Sequence, residues 1–175
     1  MKNIITLLIV SLFFLTNSAL AEEDEIRDFG IRIGAGVLQG VGDPLKEVSA
    51  YADMYLLSQQ TRMVFGFSLY DTDDTDIPSM SIQSIGIEQN IRLFGGEAFV
   101  GVIYNKSYLK TKMNRFDTRR GEAYHIGYKY PVERHEDIVI TLGQQYRPLS
   151  HMGTTSKTKL NKTSEYLRVA YQWYF

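Results

Sequence analysis

Apolar side chains recur at every second residue in this 175-residue chain. A period of two is that of a β-strand, whose successive side chains point to opposite faces. Seven stretches show a clear apolar face: 29–37, 48–56, 63–69, 85–91, 124–130, 138–146 and 167–175. An eighth, 97–106, is apolar on both faces. No stretch after residue 21 has a convincing helical period, so we predict an all-β fold of eight strands.

The segments between these stretches alternate in length. Long polar segments cover 40–47, 71–79, 106–119 and 149–164, and short ones cover 57–60, 93–96 and 131–136. Outer-membrane barrels combine short periplasmic turns with longer outside loops, and an even strand number leaves both chain ends in the periplasm. We therefore predict an eight-stranded antiparallel transmembrane β-barrel in the outer membrane of a Gram-negative bacterium.

A soluble barrel with its apolar face around a ligand would show the same period. Two features favour the membrane. The opposite face carries Gly, Ser, Asp, Glu, Arg, Gln and Asn, which suit the packed interior of a narrow barrel without a water channel. The chain also ends in Tyr171, Trp173, Tyr174 and Phe175, as expected of an interfacial aromatic girdle. A terminal aromatic residue resembles the signal that the barrel assembly machinery reads, which makes that machinery an expected partner.

The first 21 residues have the pattern of a cleaved signal peptide. Lys2 precedes an apolar segment at 4–15, and Ala19-Leu20-Ala21 forms a small-residue cleavage site. The apolar segment is shorter than the ~20 residues of a membrane span. We expect a mature domain at 22–175. A net charge of −1 and the lack of cysteine argue against nucleic-acid binding and thiolate chemistry.

Basic side chains are concentrated in the two longest predicted outside loops. They include Arg115 and Arg119 in one loop, and Lys157 and Lys159 in the other. The outer leaflet presents phosphorylated glycolipid, and the planar donor fork of arginine matches phosphate. The same residues also fit solvated loops without a ligand, and both interpretations stay open.

The segment 71–76 is acidic and could attract Ca²⁺ through its alternating carboxylates. It lacks the central Gly and the terminal Glu of a dedicated calcium loop. We therefore expect solvated charge there, and we predict no metal or other cofactor.

A carboxylate shares the apolar face of the last strand. Glu165 has the parity of Leu167, and His151 precedes it by fourteen residues. Pro148 interrupts strand pairing, and a bulge there would turn His151 outward. The two side chains could then meet at the outer rim, facing lipid. A carboxylate beside an imidazole is the orienting half of a hydrolytic triad, whose third member is a hydroxyl nucleophile.

The C-terminal 25 residues resemble the outer-membrane lipid A 3-O-deacylases. His151, Asn161, Glu165 and the ending YLRVAYQWYF carry the resemblance. It implies an exported eight-stranded barrel with an outward-facing esterase site for lipid A. The family motif is His-x-Ser-Asn, whereas this chain has Gly153 and Thr154 at the last two positions. The family's nucleophile is therefore missing.

Three functions remain open. The first is a divergent member that acts at or binds the lipid A of lipopolysaccharide. The second is an active lipid A ester hydrolase, with His151 as base, Glu165 as its orienter, and Thr155, Ser156 or Ser150 as a shifted nucleophile. The third is a structural or adhesin-like barrel. The expected lipid-binding residues are Thr154, Asn161, Lys157, Lys159, Arg115 and Arg119. The oligomeric state is left open.

Overall fold

The chain forms a closed antiparallel barrel of eight strands, in which β1 pairs with both β2 and β8. The computed structural model describes residues 28–39, 44–58, 60–71, 80–110, 116–146 and 163–175. The strands are β1 (Phe29–Gln39), β2 (Leu45–Ser58), β3 (Thr61–Asp71), β4 (Met80–Leu93), β5 (Gly96–Lys110), β6 (Phe116–Glu133), β7 (Glu136–Tyr146) and β8 (Thr163–Tyr174). The predicted fold class is confirmed. No helix within the described ranges is long and apolar enough to cross a membrane.

The three tight connections lie at the same end of the barrel as Phe29 and Phe175. We call this the periplasmic end, because short turns mark that side of outer-membrane barrels. In the β4–β5 turn, Phe94 (φ 51°) and Gly95 (φ 81°) both adopt left-handed backbone. Two such residues are characteristic of the type I′ turn, whose twist matches that of the flanking strands.

The strands extend further toward the opposite, outer end than the sequence predicted. β2 begins at Leu45, β5 continues to Lys110, and β6 begins at Phe116. Arg119 therefore belongs to a strand, not to the predicted loop. The apolar alternation stops where the strands leave hydrocarbon, but backbone pairing continues beyond that point, for example between Lys110 and Phe116. Apolar periodicity therefore underestimates strand length at this end.

The register defines the width of the barrel. Following direct cross-strand partners from Gln39 around all eight strands returns to β1 at Phe29, ten residues away. This offset tilts the strands by roughly 35–45° to the barrel axis. Eight strands at such a tilt enclose a lumen that side chains can fill.

The outside of the barrel carries a continuous apolar belt. Its side chains come from all eight strands and are exposed, as hydrocarbon contact requires. Members that are more than a third exposed include Ile33, Val37, Val48, Phe65, Phe67, Leu69, Ile85, Ile87, Tyr104, Ile126, Ile140, Leu142, Leu167 and Val169. β5, whose orientation the sequence left open, points Phe99 and Ile103 inward and Tyr104 outward. The apolar rows therefore face away from the lumen, as the membrane interpretation requires.

Inside the lumen, large side chains lie over glycines of the neighbouring strand. Tyr51 lies directly opposite Gly66, Phe99 opposite Gly127, and Tyr166 opposite Gly143. A Cβ added at any of these three glycines would overlap the facing ring. The missing side chain makes the space that the ring fills, and the ring in turn covers the exposed glycine backbone.

We expect Gly66→Ala to destabilise the barrel by about 1–3 kcal/mol, because the new methyl group overlaps the buried Tyr51 ring. Urea unfolding in lipid vesicles measures the change, and Trp173, the only tryptophan, reports it. Ala50→Val is the control, since Ala50 is exposed on the lipid-facing side and should change stability by less than about 0.5 kcal/mol. Equal midpoints for Gly66→Ala and wild type would contradict this account.

Candidate functional site

The outer half of the lumen is closed by an apolar cluster. Leu38, Leu45, Tyr70 and Met80 lie within one residue of the outer ends of β1 to β4 and are buried. Further buried members of the cluster are Tyr51, Val64, Ile82, Ile103, Ala123 and Tyr166. Glu47 and Arg168 form an ion pair next to it, with Arg168 Nε 2.9 Å from Glu47 Oε1 and its guanidinium 4.5 Å from the centre of the Tyr51 ring.

A network of buried charges fills the centre of the lumen. Arg32 donates two hydrogen bonds to Glu88, Nη1 to Oε1 at 3.1 Å and Nη2 to Oε2 at 2.9 Å. His125 Nε2 lies 3.0 Å from the same Oε1 atom. Asp53 lies 3.8 Å from Arg32 and 2.5 Å from Arg62. Each carboxylate of the network thus faces at least one arginine, which offsets the cost of burying the charges.

The periplasmic part of the lumen combines charge with aromatic rings. Lys129 Nζ lies 3.6 Å from Glu97 Oε2, and between the rings of Phe99 and Tyr174 at 5.6 and 6.0 Å from their centres. The Tyr174 hydroxyl donates to Asp137 at 2.9 Å. Buried side chains therefore occupy the described lumen, and a pocket of about 370 Å³ bordered by Lys129 and Asp137 opens at its periplasmic end.

Removing one partner of the central network should destabilise the barrel strongly. We expect Arg32→Leu to cost about 3–5 kcal/mol, because it leaves Glu88 buried without its bidentate partner. The double variant Arg32→Leu/Glu88→Leu should recover most of this loss, since it removes both charges together. Urea unfolding of the three proteins in vesicles tests the prediction, and a double variant no more stable than Arg32→Leu would contradict it.

The apolar side chains in the outer half of the lumen also predict that the barrel does not conduct ions. Wild-type protein inserted in planar lipid bilayers should show no stable single-channel current, because buried apolar side chains occupy the outer half of the described lumen. A porin inserted in the same bilayers serves as the control and shows that an open channel would be detected. A reproducible ohmic conductance from the folded barrel would show that the lumen opens.

A ring of polar residues marks the outer edge of the apolar belt. On every strand the outward-facing side chain changes from apolar to polar within a single step of two residues. The changes are Val37 to Gln39, Val48 to Lys46, Leu69 to Asp71, Ile85 to Gln83, Tyr104 to Lys106, Tyr124 to Glu122, Leu142 to Gln144 and Leu167 to Glu165. We call the eight polar residues the outer polar ring. They place the boundary between hydrocarbon and headgroups.

Glu165 is the β8 member of this ring. Its side chain is exposed, and Gln144 Nε2 on β7 lies 3.5 Å from its Oε1 atom. Together they border a shallow groove of about 480 Å³ on the lipid-facing surface, whose apolar part includes Val100, Ile126 and Leu142. The position of Glu165 at the membrane interface explains why a carboxylate lies on the apolar face of β8, since a charge costs little free energy there.

The other predicted site residues lie mostly outside the described ranges. These are His151, Thr154, Thr155, Ser156, Ser150, Lys157, Lys159, Asn161 and Arg115. For Arg119 the structure gives only the backbone, which pairs with Ser107. The structure therefore provides the position of Glu165 but not its distance from His151. Within the described residues, no group of three or more His, Asp or Glu side chains could hold a metal ion.

Nothing in the sequence indicated that Lys106 of the outer polar ring and the neighbouring Arg120 form a pair of cations. Lys106 on β5 and Arg120 on β6 are direct cross-strand partners, and both point outward. Lys106 falls at the start of the predicted loop 106–119. The parity of Tyr124 could have shown that Arg120 points outward, whereas Lys106 could not be placed because β5 is apolar on both faces.

Comparisons with known proteins agree with the geometry. No protein-family model and no curated protein sequence matches the chain. Among solved structures, Neisserial surface protein A aligns with a TM-score of 0.66 at 12% identity, over 84% of this chain and 97% of its own. The N-terminal barrel domain of Pseudomonas aeruginosa OprF gives 0.55 at 11%, over 83% and 97%. OprG from the same species gives 0.52 at 10%, over 86% and 99%.

These likenesses establish the fold, and nothing in them points specifically to the lipid A deacylases. The closed barrel, its apolar belt and its structural neighbours define an eight-stranded β-barrel of the Gram-negative outer membrane. The predicted fold and localisation are confirmed at this level.

Proposed function

We propose that the protein acts at the outer leaflet of the outer membrane by binding the lipid A part of lipopolysaccharide, without hydrolysing it. One observation carries the proposal. Buried apolar side chains occupy the outer half of the described lumen, so a ligand in the outer leaflet meets the barrel on its outside, at the height of the outer polar ring. Lys106 and Arg120 place two neighbouring positive charges at that height.

The shape of the surface supports a lipid ligand. The groove beside Glu165 presents apolar side chains on the membrane side and polar side chains toward the headgroups. A lipid with a polar head and acyl chains has the same order of groups along its length. Residues 151–175 resemble lipid A 3-O-deacylases, which supports lipid A as the ligand. Gly153 replaces the family's Ser nucleophile, which favours binding over hydrolysis.

An active ester hydrolase is the second candidate. The outward-facing carboxylate of Glu165, with Gln144 as its neighbour, supports this candidate, because an acid that orients the base for a lipid substrate would also face outward at the interface. In this case His151 would be the base, and Thr155, Ser156 or Ser150 would supply the nucleophile.

Lipid A analysis separates the two candidates. The protein is expressed in a Gram-negative host that lacks its own lipid A deacylase, and lipid A is examined by mass spectrometry. We expect unchanged lipid A, because the motif's Ser position is Gly153. Loss of a 3-O-acyl chain with wild type, but not with matched His151→Ala and Glu165→Gln variants, would overturn the binding-only proposal and establish the hydrolase.

Binding is measured on the purified barrel in phosphatidylcholine nanodiscs, titrated with fluorescent lipid A. We expect saturable binding that exceeds binding of labelled phosphatidylglycerol. The N-terminal barrel domain of OprF, with the same strand number, controls for nonspecific insertion at the barrel wall. Equal signals for both barrels and both lipids would refute a lipid A-binding role.

A further inference from the structure

The outer ends of β4, β5 and β6 present three hydrogen-bond donors in one row. Gln83 lies directly opposite Lys106, and Lys106 lies directly opposite Arg120. All three side chains have the outward parity of the apolar belt. Neighbouring strands are about 5 Å apart, so the row covers a width of about 10 Å. A single headgroup can therefore contact more than one of its members.

The side chain of Lys106 is held in place by its neighbours. Its Nζ atom lies 5.0 Å from the centre of the Tyr108 ring, a cation–π contact. The Tyr108 hydroxyl in turn donates to Gln83 Oε1 at 3.2 Å. This contact engages the oxygen of the Gln83 amide and leaves its nitrogen as a donor. Lys106 and Gln83 are thus ordered by contacts that leave their donors available.

The two cations of the row have no acidic partner among the side chains that the structure describes. Within the described residues, neither Lys106 nor Arg120 forms an ion pair. The nearest acid along β6 is Glu122, and its carboxylate accepts a hydrogen bond from the Tyr124 hydroxyl at 3.1 Å, on the side toward the belt. Among the described side chains, neither positive charge of the row is engaged in an ion pair, which supports a role for both in binding a ligand.

We propose that Lys106, Arg120 and Gln83 form a binding subsite for a phosphate monoester of lipid A. This inference rests on the proposed function and assigns it to one sector of the barrel. A phosphate monoester carries a charge of about −1.5 to −2 near pH 7, which two cations match. A phosphodiester headgroup carries a single negative charge, which one cation would balance. Arg120 supplies a planar fork for two phosphate oxygens, and Lys106 supplies a compact charge.

The test compares Lys106→Gln/Arg120→Gln with wild type in phosphatidylcholine nanodiscs. Bisphosphorylated lipid A, lipid A with both phosphates removed, and phosphatidylglycerol are titrated separately. We expect the double variant to bind bisphosphorylated lipid A about tenfold more weakly, as charged hydrogen bonds are lost. Its affinity for dephosphorylated lipid A should not change. Arg120→Lys, which keeps the charge but not the fork, should lie between wild type and the double variant.

Lys46→Gln is the matched control, because Lys46 belongs to the outer polar ring on β2, outside the proposed subsite. It should bind lipid A like wild type. Electrophoretic mobility of unheated samples confirms that each variant is folded. Equal loss with Lys46→Gln, or wild-type affinity of the double variant, would overturn the subsite and leave lipid A binding intact. If wild type binds no form of lipid A, the proposed function itself falls.

Discussion

Backbone hydrogen bonding in hydrocarbon is the constraint on which the structure depends. A strand inside a membrane has no water to satisfy its N–H and C=O groups, so every edge must be paired. Pairing between β1 and β8 removes the last two edges and closes the sheet. A closed sheet of eight strands with a register offset of ten residues encloses a narrow lumen. This lumen is narrow enough for side chains to fill it.

The chain has no disulfides, and within the described ranges no second layer of protein packs on the outer face of its sheet. The side chains inside the lumen therefore stabilise the barrel. Apolar side chains close the outer half, and ion pairs cross the centre between distant strands, for example Arg32 to Glu88 and Arg168 to Glu47. Burying an ion pair costs free energy. Removing one partner destabilises the fold strongly, because the remaining buried charge has neither a counter-ion nor water to solvate it. Glycines opposite Tyr51, Phe99 and Tyr166 make room for the rings between these layers.

The proposed function uses the outer surface of the barrel, where the outer polar ring lies. Glu165 looked exceptional in the sequence because it interrupts an apolar alternation. In the barrel it is one of eight residues that change from apolar to polar at the same boundary, and its carboxylate needs no catalytic role to explain its position. Lys106 of the ring and the adjacent Arg120 are direct cross-strand partners that form no ion pair among the described residues, and they carry the proposed phosphate subsite.

The sequence by itself determined the number of strands, the positions of the tight turns and the composition of the two faces. It could do so because a period of two is a local property of the chain. Only the tertiary structure decided which face met lipid, how β5 is oriented, and which distant residues became partners. Arg32 and Glu88 are 56 residues apart, and nothing in either local sequence indicates the other. The polar ring and the Lys106–Arg120 pair likewise exist only once register is set, because register alone brings residues of different strands to the same height.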